Sequence, residues 1–148
     1  MMQMVRDRDA SYDFYTRVLG FDTFYKGKPY LAEEPEYMPL GIPYNLTTTV
    51  RYRAGIVFPV PGEFGRMETI EVMDLDGRDH SERCVAPNLG ILAVRFPVPD
   101  VDVARATIAD RGWAVSEPST YPLAPYGPLR SVELKTPDGA IIQFYETQ

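Results

Sequence analysis

One pattern occurs twice in this chain, and it restricts the fold more than any other feature of the sequence. A short apolar stretch ends at Asp7, and a second one ends 93 residues later at Asp100. Each aspartate is followed by a helical pattern that ends at a glycine, Gly20 or Gly112. Glycine adopts the left-handed backbone that commonly terminates a helix. A unit that occurs twice predicts an internal duplication, because a solenoid needs at least three stacked repeats.

Each half is predicted to contain one strand, one helix and then further strands, with Asp7 or Asp9 capping the first helix. The predicted strands cover 1–6, 21–25, 46–58 and 67–73 in the first half, and 91–98, 114–115, 130–134 and 141–145 in the second, with helices from Asp9 to Gly20 and over 101–111. Residues 74–89 are polar and charged. We therefore expect one domain, 1–148, built from a first module, 1–73, a linker, 74–89, and a second module, 90–148.

Composition excludes several classes of protein. The 148 residues are 45% hydrophobic and 24% charged, as in ordinary globular domains. The net charge of −6 disfavours nucleic acid as a partner. No apolar run approaches the roughly 20 residues of a membrane span, and the N-terminal residues lack a secretory signal. The single cysteine, Cys84, cannot form an internal disulfide. We expect a cytoplasmic protein that binds neither nucleic acid nor membrane.

The repeated residues resemble the glyoxalase, bleomycin-resistance and extradiol-dioxygenase superfamily, also called the vicinal oxygen chelate proteins. The resemblance covers nearly the whole chain. The residues that carry it are Val5, Asp7, Asp9, Ser11, Phe14, Tyr15, Leu19, Gly20 and Phe21 in the first half, and Val98, Pro99, Asp100, Thr136, Pro137, Asp138 and Gly139 in the second. It implies an α+β fold of two paired βαβββ modules, whose curved mixed sheets surround a concave cavity.

Metal-binding members of that superfamily take their ligands from the first and last strands of each module. The resemblance places these positions at Ala93 and Gln143 in the second half, where His and Glu are usual, and at Glu71 in the first half. The fourth position falls before Met1. A catalytic divalent ion generally needs about three protein ligands, and neither a methyl group nor an uncharged amide replaces an imidazole or a carboxylate. We therefore expect no metal ion and no cofactor.

Strand alternation predicts which side chains line the cavity, because residues two apart share a face. The predicted ligand-binding residues are Thr69, Glu71 and Met73 in the first half, Ala93, Arg95, Ile141, Gln143 and Tyr145 in the second, and Tyr126 on a loop at the rim. Glu71 and Tyr145 are the catalytic candidates, as a general base and a proton donor. Two alternatives stay open: Glu71 and Arg95 form a structural ion pair, and Tyr145 only packs.

Two long loops are candidate rims of this cavity. The segment 26–44 is longer than most connections and carries several tyrosines, which is typical of a binding lid. Its alternatives are a surface excursion or a dimer contact. The loop 121–129 is rich in proline and tyrosine, so it is expected to be stiff.

Together these features predict a metal-independent protein that binds a small, partly hydrophobic organic molecule. It would be a homodimer, similar to the antibiotic-resistance proteins of the superfamily. The first alternative is a metal-dependent lyase, isomerase or dioxygenase of the same superfamily, with ligands other than those named above. A non-catalytic partner domain is the second. The sequence leaves open whether the protein catalyses a reaction.

Overall fold

The structure, a computed structural model, describes residues 1–38, 42–63, 65–85, 87–88, 90–123, 125 and 127–146. The chain divides into two compact units, 1–78 and 79–148, with the boundary inside the segment 74–89. Each unit runs in the order strand, helix and three strands. The predicted α+β fold of two βαβββ modules is therefore confirmed. No helix of the described residues is long and apolar enough to span a bilayer.

The first unit has one short helix and a four-stranded mixed sheet. Its elements are β1 (Met2–Met4), α1 (Arg8–Asp13), β2 (Asp22–Lys26), β3 (Tyr52–Phe58) and β4 (Met67–Val72). The strand order is β1-β4-β3-β2, with β1 parallel to β4 and the other pairs antiparallel. The predicted helix from Asp9 to Gly20 is present, as α1 followed by a π-helical turn, Phe14–Val18. The predicted strand 46–58 is corrected: β3 begins at Tyr52, because a 3₁₀ turn, Tyr44–Leu46, precedes it.

The second unit repeats this arrangement. Its elements are β5 (Ala93–Val98), α2 (Val101–Asp110), β6 (Ser119–Leu123), β7 (Gly127–Lys135) and β8 (Ile141–Glu146), in the order β5-β8-β7-β6. The predicted strand 114–115 is wrong, and β6 instead lies in the segment interpreted as a proline-rich loop. Pro122 does not prevent this, because β6 is an edge strand and tolerates a missing N–H.

Each helix packs on one face of its own sheet and forms the core there. The buried side chains include Tyr12, Tyr15, Val57 and Met67 in the first unit, and Val101, Ile108, Val132, Ile142 and Phe144 in the second. Gly55 shows how closely α1 approaches, because a Cβ atom at this position would lie 2.5 Å from Cδ2 of Tyr12. A glycine in the middle of β3 therefore makes room for the Tyr12 ring.

A set of charged contacts holds the start of α1 against the sheet. Asp7 caps the helix by accepting hydrogen bonds from the backbone N–H groups of Asp9 (2.8 Å) and Ala10 (3.2 Å). Glu71, on β4, accepts from the backbone N–H of Arg8 at 2.8 Å. Arg53, on β3, donates from Nε to Glu71 at 2.8 Å and from Nη1 to Asp9 at 2.6 Å.

The same contacts recur at α2. Asp100 accepts from the backbone N–H of Asp102 at 2.8 Å, and Glu146 accepts from that of Val101 at 3.1 Å. Arg130 donates to Glu146 at 3.1 Å and to Asp102 at 2.7 Å. We call the sets Asp7, Asp9, Arg53 and Glu71, and Asp100, Asp102, Arg130 and Glu146, the two helix clamps. Their correspondence supports the internal duplication that the sequence predicts.

We expect Arg53→Leu to destabilise the fold more than Arg130→Leu. The side chains of Arg53 and Glu71 are 19% and 13% exposed, whereas those of Arg130 and Glu146 are 37% and 29% exposed. Removing Arg53 leaves a nearly buried carboxylate without its cation, which costs about 3 kcal/mol of unfolding free energy. The Arg130 pair is more exposed, so solvent screens it and its removal costs less. Urea denaturation of both variants measures the difference. Equal losses would show that burial does not set the strength of the clamps.

Candidate functional site

Glu71 does not lie on the open face of its sheet. Its carboxylate contacts Arg53 and the first residue of α1, so it belongs to the helix clamp. Thr69 shares this helix-covered face, with 1% of its surface exposed, and donates to the carbonyl of Gly55 at 3.3 Å. The predicted cavity face of the first half is therefore corrected: the alternation exists, but α1 covers the face that contains Thr69 and Glu71. Met73 lies just beyond β4 and is half-buried.

The parallel strand pairs show which residue of the first unit corresponds to Gln143. Gln143 lies opposite Arg95. Arg95 is five residues before the capping Asp100. Five residues before the capping Asp7 is Met2, and its partner is Glu68. Glu68 is thus the counterpart of Gln143, and sequence reasoning missed it. The signal that finds it is the pairing of the first and last strands of each module, counted back from the two caps.

Four polar side chains meet on the open face of the second sheet, away from α2. Gln143, which is 6% exposed, accepts hydrogen bonds at Oε1 from Nε of Arg95 (2.5 Å) and from the hydroxyl of Tyr121 (3.2 Å). Its Nε2 donates to Glu133. The guanidinium carbon of Arg95 lies 5.5 Å from the centre of the Tyr121 ring, within the range of a cation–π contact. Arg95 is exposed, whereas Gln143, which holds its Nε, is buried.

The other predicted residues of the second half share this face. Ala93 pairs with Ile141, one step along the face from Arg95 and Gln143, and both are half-buried. Tyr145 lies one step from Gln143 in the other direction, opposite Pro97, and is also half-buried. Their part in ligand binding stays a prediction. Tyr126 lies outside the described residues.

The side chains at the expected metal positions do not suit a divalent cation. Ala93 has no donor atom, and the carbonyl oxygen of Gln143 already accepts from a permanently charged guanidinium. A second cation beside Arg95 would be repelled. In the part of the chain that the structure describes, no group of three or more His, Cys, Asp or Glu side chains is placed to hold a metal ion. The chain therefore departs from the donor set that the resemblance implies for metal-binding members.

A separate cleft of about 610 Å³ lies in the first unit, beside Glu68. We call it the tyrosine pocket; it is lined by Tyr25, Lys26, Gly27, Lys28, Pro29, Tyr30, Tyr52, Ala54 and Glu68. The rings of Tyr30 and Tyr52 meet edge to face, with 5.6 Å between their centres. Residues 26–30, at the start of the predicted lid 26–44, thus line the tyrosine pocket.

Both tyrosines stay neutral at physiological pH. The hydroxyl of Tyr30 donates to Glu36 at 2.9 Å, and this hydrogen bond raises the pKa of Tyr30 above its usual value. Burial raises the pKa of Tyr52, and the negative charge of Glu36 adds to the effect. The pocket therefore presents neutral aromatic rings and a nearby carboxylate.

Comparison with known structures shows the fold. The glyoxylase/bleomycin resistance protein/dioxygenase domain from Frankia sp. EAN1pec is 17% identical, with a TM-score of 0.60 over 100% of this chain and 94% of that one. A superfamily member from Sphaerobacter thermophilus is 22% identical, with a TM-score of 0.56 over 99% and 94%. TnmS3, an antibiotic binding protein from Streptomyces sp. CB03234, is 20% identical, with a TM-score of 0.54 over 99% and 93%. No family model and no curated protein matches the chain. The chain has the glyoxalase/bleomycin-resistance fold, which confirms the resemblance at the level of fold.

We expect Glu36→Gln to lower the pKa of Tyr30 towards its usual value of 10.0, because the charged acceptor of its hydroxyl proton is removed. Alkaline titration, followed by the ultraviolet absorbance of tyrosinate, measures the shift. Subtracting the titration of Tyr30→Phe identifies the contribution of Tyr30 among the ten tyrosines. An unchanged titration curve in Glu36→Gln would contradict the hydrogen bond.

Proposed function

We propose that this protein binds a small, partly hydrophobic organic molecule on the open face of its second sheet, without a metal ion. The observation that carries this proposal is the hydrogen bond of 2.5 Å from Arg95 to Gln143, with Tyr121 against the guanidinium. It places a fixed cation and a flat ring together where metal-binding members need a ligand. The similarity of fold to TnmS3, an antibiotic binding protein, is consistent with ligand binding on this scaffold.

The arrangement suits a ligand with an anionic or strongly accepting group joined to an apolar body. Nε of Arg95 is held by Gln143, and its two terminal nitrogens make no hydrogen bond to any residue in the described ranges. An arginine fixed in this way loses little side-chain freedom when it binds a carboxylate or a phenolate. The half-buried side chains of Ala93, Ile141 and Tyr145 supply apolar surface beside it.

The proposal does not include catalysis by Glu71. Its Oε2 accepts from Arg53 and from the backbone N–H of Arg8, on the face of the sheet that α1 covers, so Glu71 holds the helix in place rather than facing a ligand. Tyr145 stays in the proposal as a ligand contact. A homodimer and a cytoplasmic location are also part of the proposal, on the strength of the resemblance alone; sedimentation velocity tests the first and cell fractionation the second.

We expect Arg95→Met to weaken ligand binding at least tenfold, equivalent to about 1.4 kcal/mol. A thermal-shift screen of aromatic carboxylic acids and antibiotics identifies the ligand, and calorimetry measures its affinity. Arg105→Met, at a half-buried arginine of α2 that bonds to Glu117 and not to Gln143, is the matched control, and we expect it to bind as the wild type does. A screen without any stabilising compound, or equal losses in both variants, would count against the proposal.

Metal content tests the second half of the proposal. Protein purified without a chelator should contain far less than one equivalent of Fe, Mn, Ni or Zn, because Ala93 and the Arg95-bound amide of Gln143 provide no ligand set. One tightly held equivalent, lost together with ligand binding on chelation, would instead favour the metal-dependent lyase, isomerase or dioxygenase.

A further inference from the structure

We propose that the tyrosine pocket of the first unit binds an organic ammonium ion. Its residues all lie in 25–68, so this proposal stands whether or not the second unit binds a ligand. Three features carry the inference: the aromatic rings that line the pocket, the carboxylate beside them, and the ion pair that neutralises Lys26.

Three tyrosines give the pocket an aromatic lining. The side chains of Tyr25 and Tyr30 are about half exposed, at 50% and 45%, so their rings are accessible to a ligand. Tyr52 is half-buried and makes the edge-to-face contact with Tyr30. The faces of aromatic rings carry partial negative charge and attract cations, most strongly where several rings surround the same charge. A cleft of about 610 Å³ has room for a small organic cation.

Small residues keep the pocket open. A Cβ atom on Gly27 would lie 2.6 Å from the hydroxyl oxygen of Tyr25, so the ring of Tyr25 lies against bare backbone. Ala54 lines the cleft with a single methyl group. Any larger side chain at Gly27 would move Tyr25 out of its position.

The charges around the pocket favour a cation. Glu68 is half-buried, and its carboxylate makes no hydrogen bond or ion pair with any residue in the described ranges. Glu36 adds a second carboxylate at the hydroxyl of Tyr30. Lys26 lines the cleft, but its Nζ lies 2.9 Å from the carboxylate of Asp9, a residue of α1. This ion pair neutralises the charge of Lys26. Lys28 is the remaining cation; it is exposed, so its ammonium group can extend into water.

A quaternary or fully substituted ammonium group matches this site best. Its charge is spread over methyl groups, which pack against the faces of neutral rings, and it has no N–H that would need an acceptor. A metal ion would need several oxygen ligands around one point, and Glu68 offers only one carboxylate there. The ligand class is therefore an organic cation rather than a metal ion.

Choline and its uncharged isostere, 3,3-dimethyl-1-butanol, test this proposal with the full chain. We expect choline to bind saturably in calorimetry and at least tenfold more tightly than the isostere. Only choline has the positive charge that the ring faces and the carboxylate of Glu68 attract. In amide NMR spectra of the wild type, the choline-induced shifts should cluster at 25–30, 52–54 and 68. Equal affinities for the two compounds, or shifts spread elsewhere, would overturn the proposal without any variant.

Two variants and two matched controls complete the test. Tyr25→Leu and Glu68→Gln should each weaken choline binding roughly tenfold, because they remove an exposed ring and the carboxylate. Tyr37→Leu, at a 92% exposed tyrosine, and Glu63→Gln lie outside the pocket and should leave the affinity unchanged. Undiminished binding in both Tyr25→Leu and Glu68→Gln would overturn the assignment.

Discussion

The two helix clamps are the contacts on which the rest of each unit depends. α1 has six residues and α2 has ten, and isolated helices of this length are marginal in water. Their stability has to come from the sheet. An aspartate satisfies the free N–H groups at each helix start, while a carboxylate on the last strand and an arginine on its neighbour hold that start in place. The clamps thereby fix which face of each sheet the helix covers.

The position of each clamp also determines where a ligand site can form. Glu71 and Glu146 point to the helices, so the residues three positions earlier, Glu68 and Gln143, face the other way, since side chains alternate along a strand. The first strands run parallel to these last strands and place Met2 beside Glu68 and Arg95 beside Gln143. Both units therefore have an open face with a matching position on the last strand, occupied by Glu68 in the first unit and by Gln143 in the second.

The sequence predicts the duplication and the caps because both depend on local signals. Asp7, Asp100 and the helix-ending glycines are readable residue by residue. The sequence does not show which face of β4 the helix covers, because a shift of one residue in register exchanges the two faces. β1 is too short to show the register by itself. Counting from a ligand motif thus selected Glu71 instead of Glu68. Tyr30 stands out in the sequence as a loop aromatic, but its contacts with Tyr52 depend on a long-range bridge that no local pattern shows.

The two open faces have acquired opposite electrostatic characters on the same framework. In the second unit, the amide of Gln143 holds an exposed arginine, and the face presents a cation. At the matching register of the first unit, Glu68 lies beside an apolar Met2 and near three tyrosines, and the face presents a carboxylate. Such divergence leaves the clamps and the packed helix face unchanged, because it occurs on the opposite face of each sheet. A duplicated chain of this kind can therefore keep its scaffold while the open faces of its two halves differ in charge.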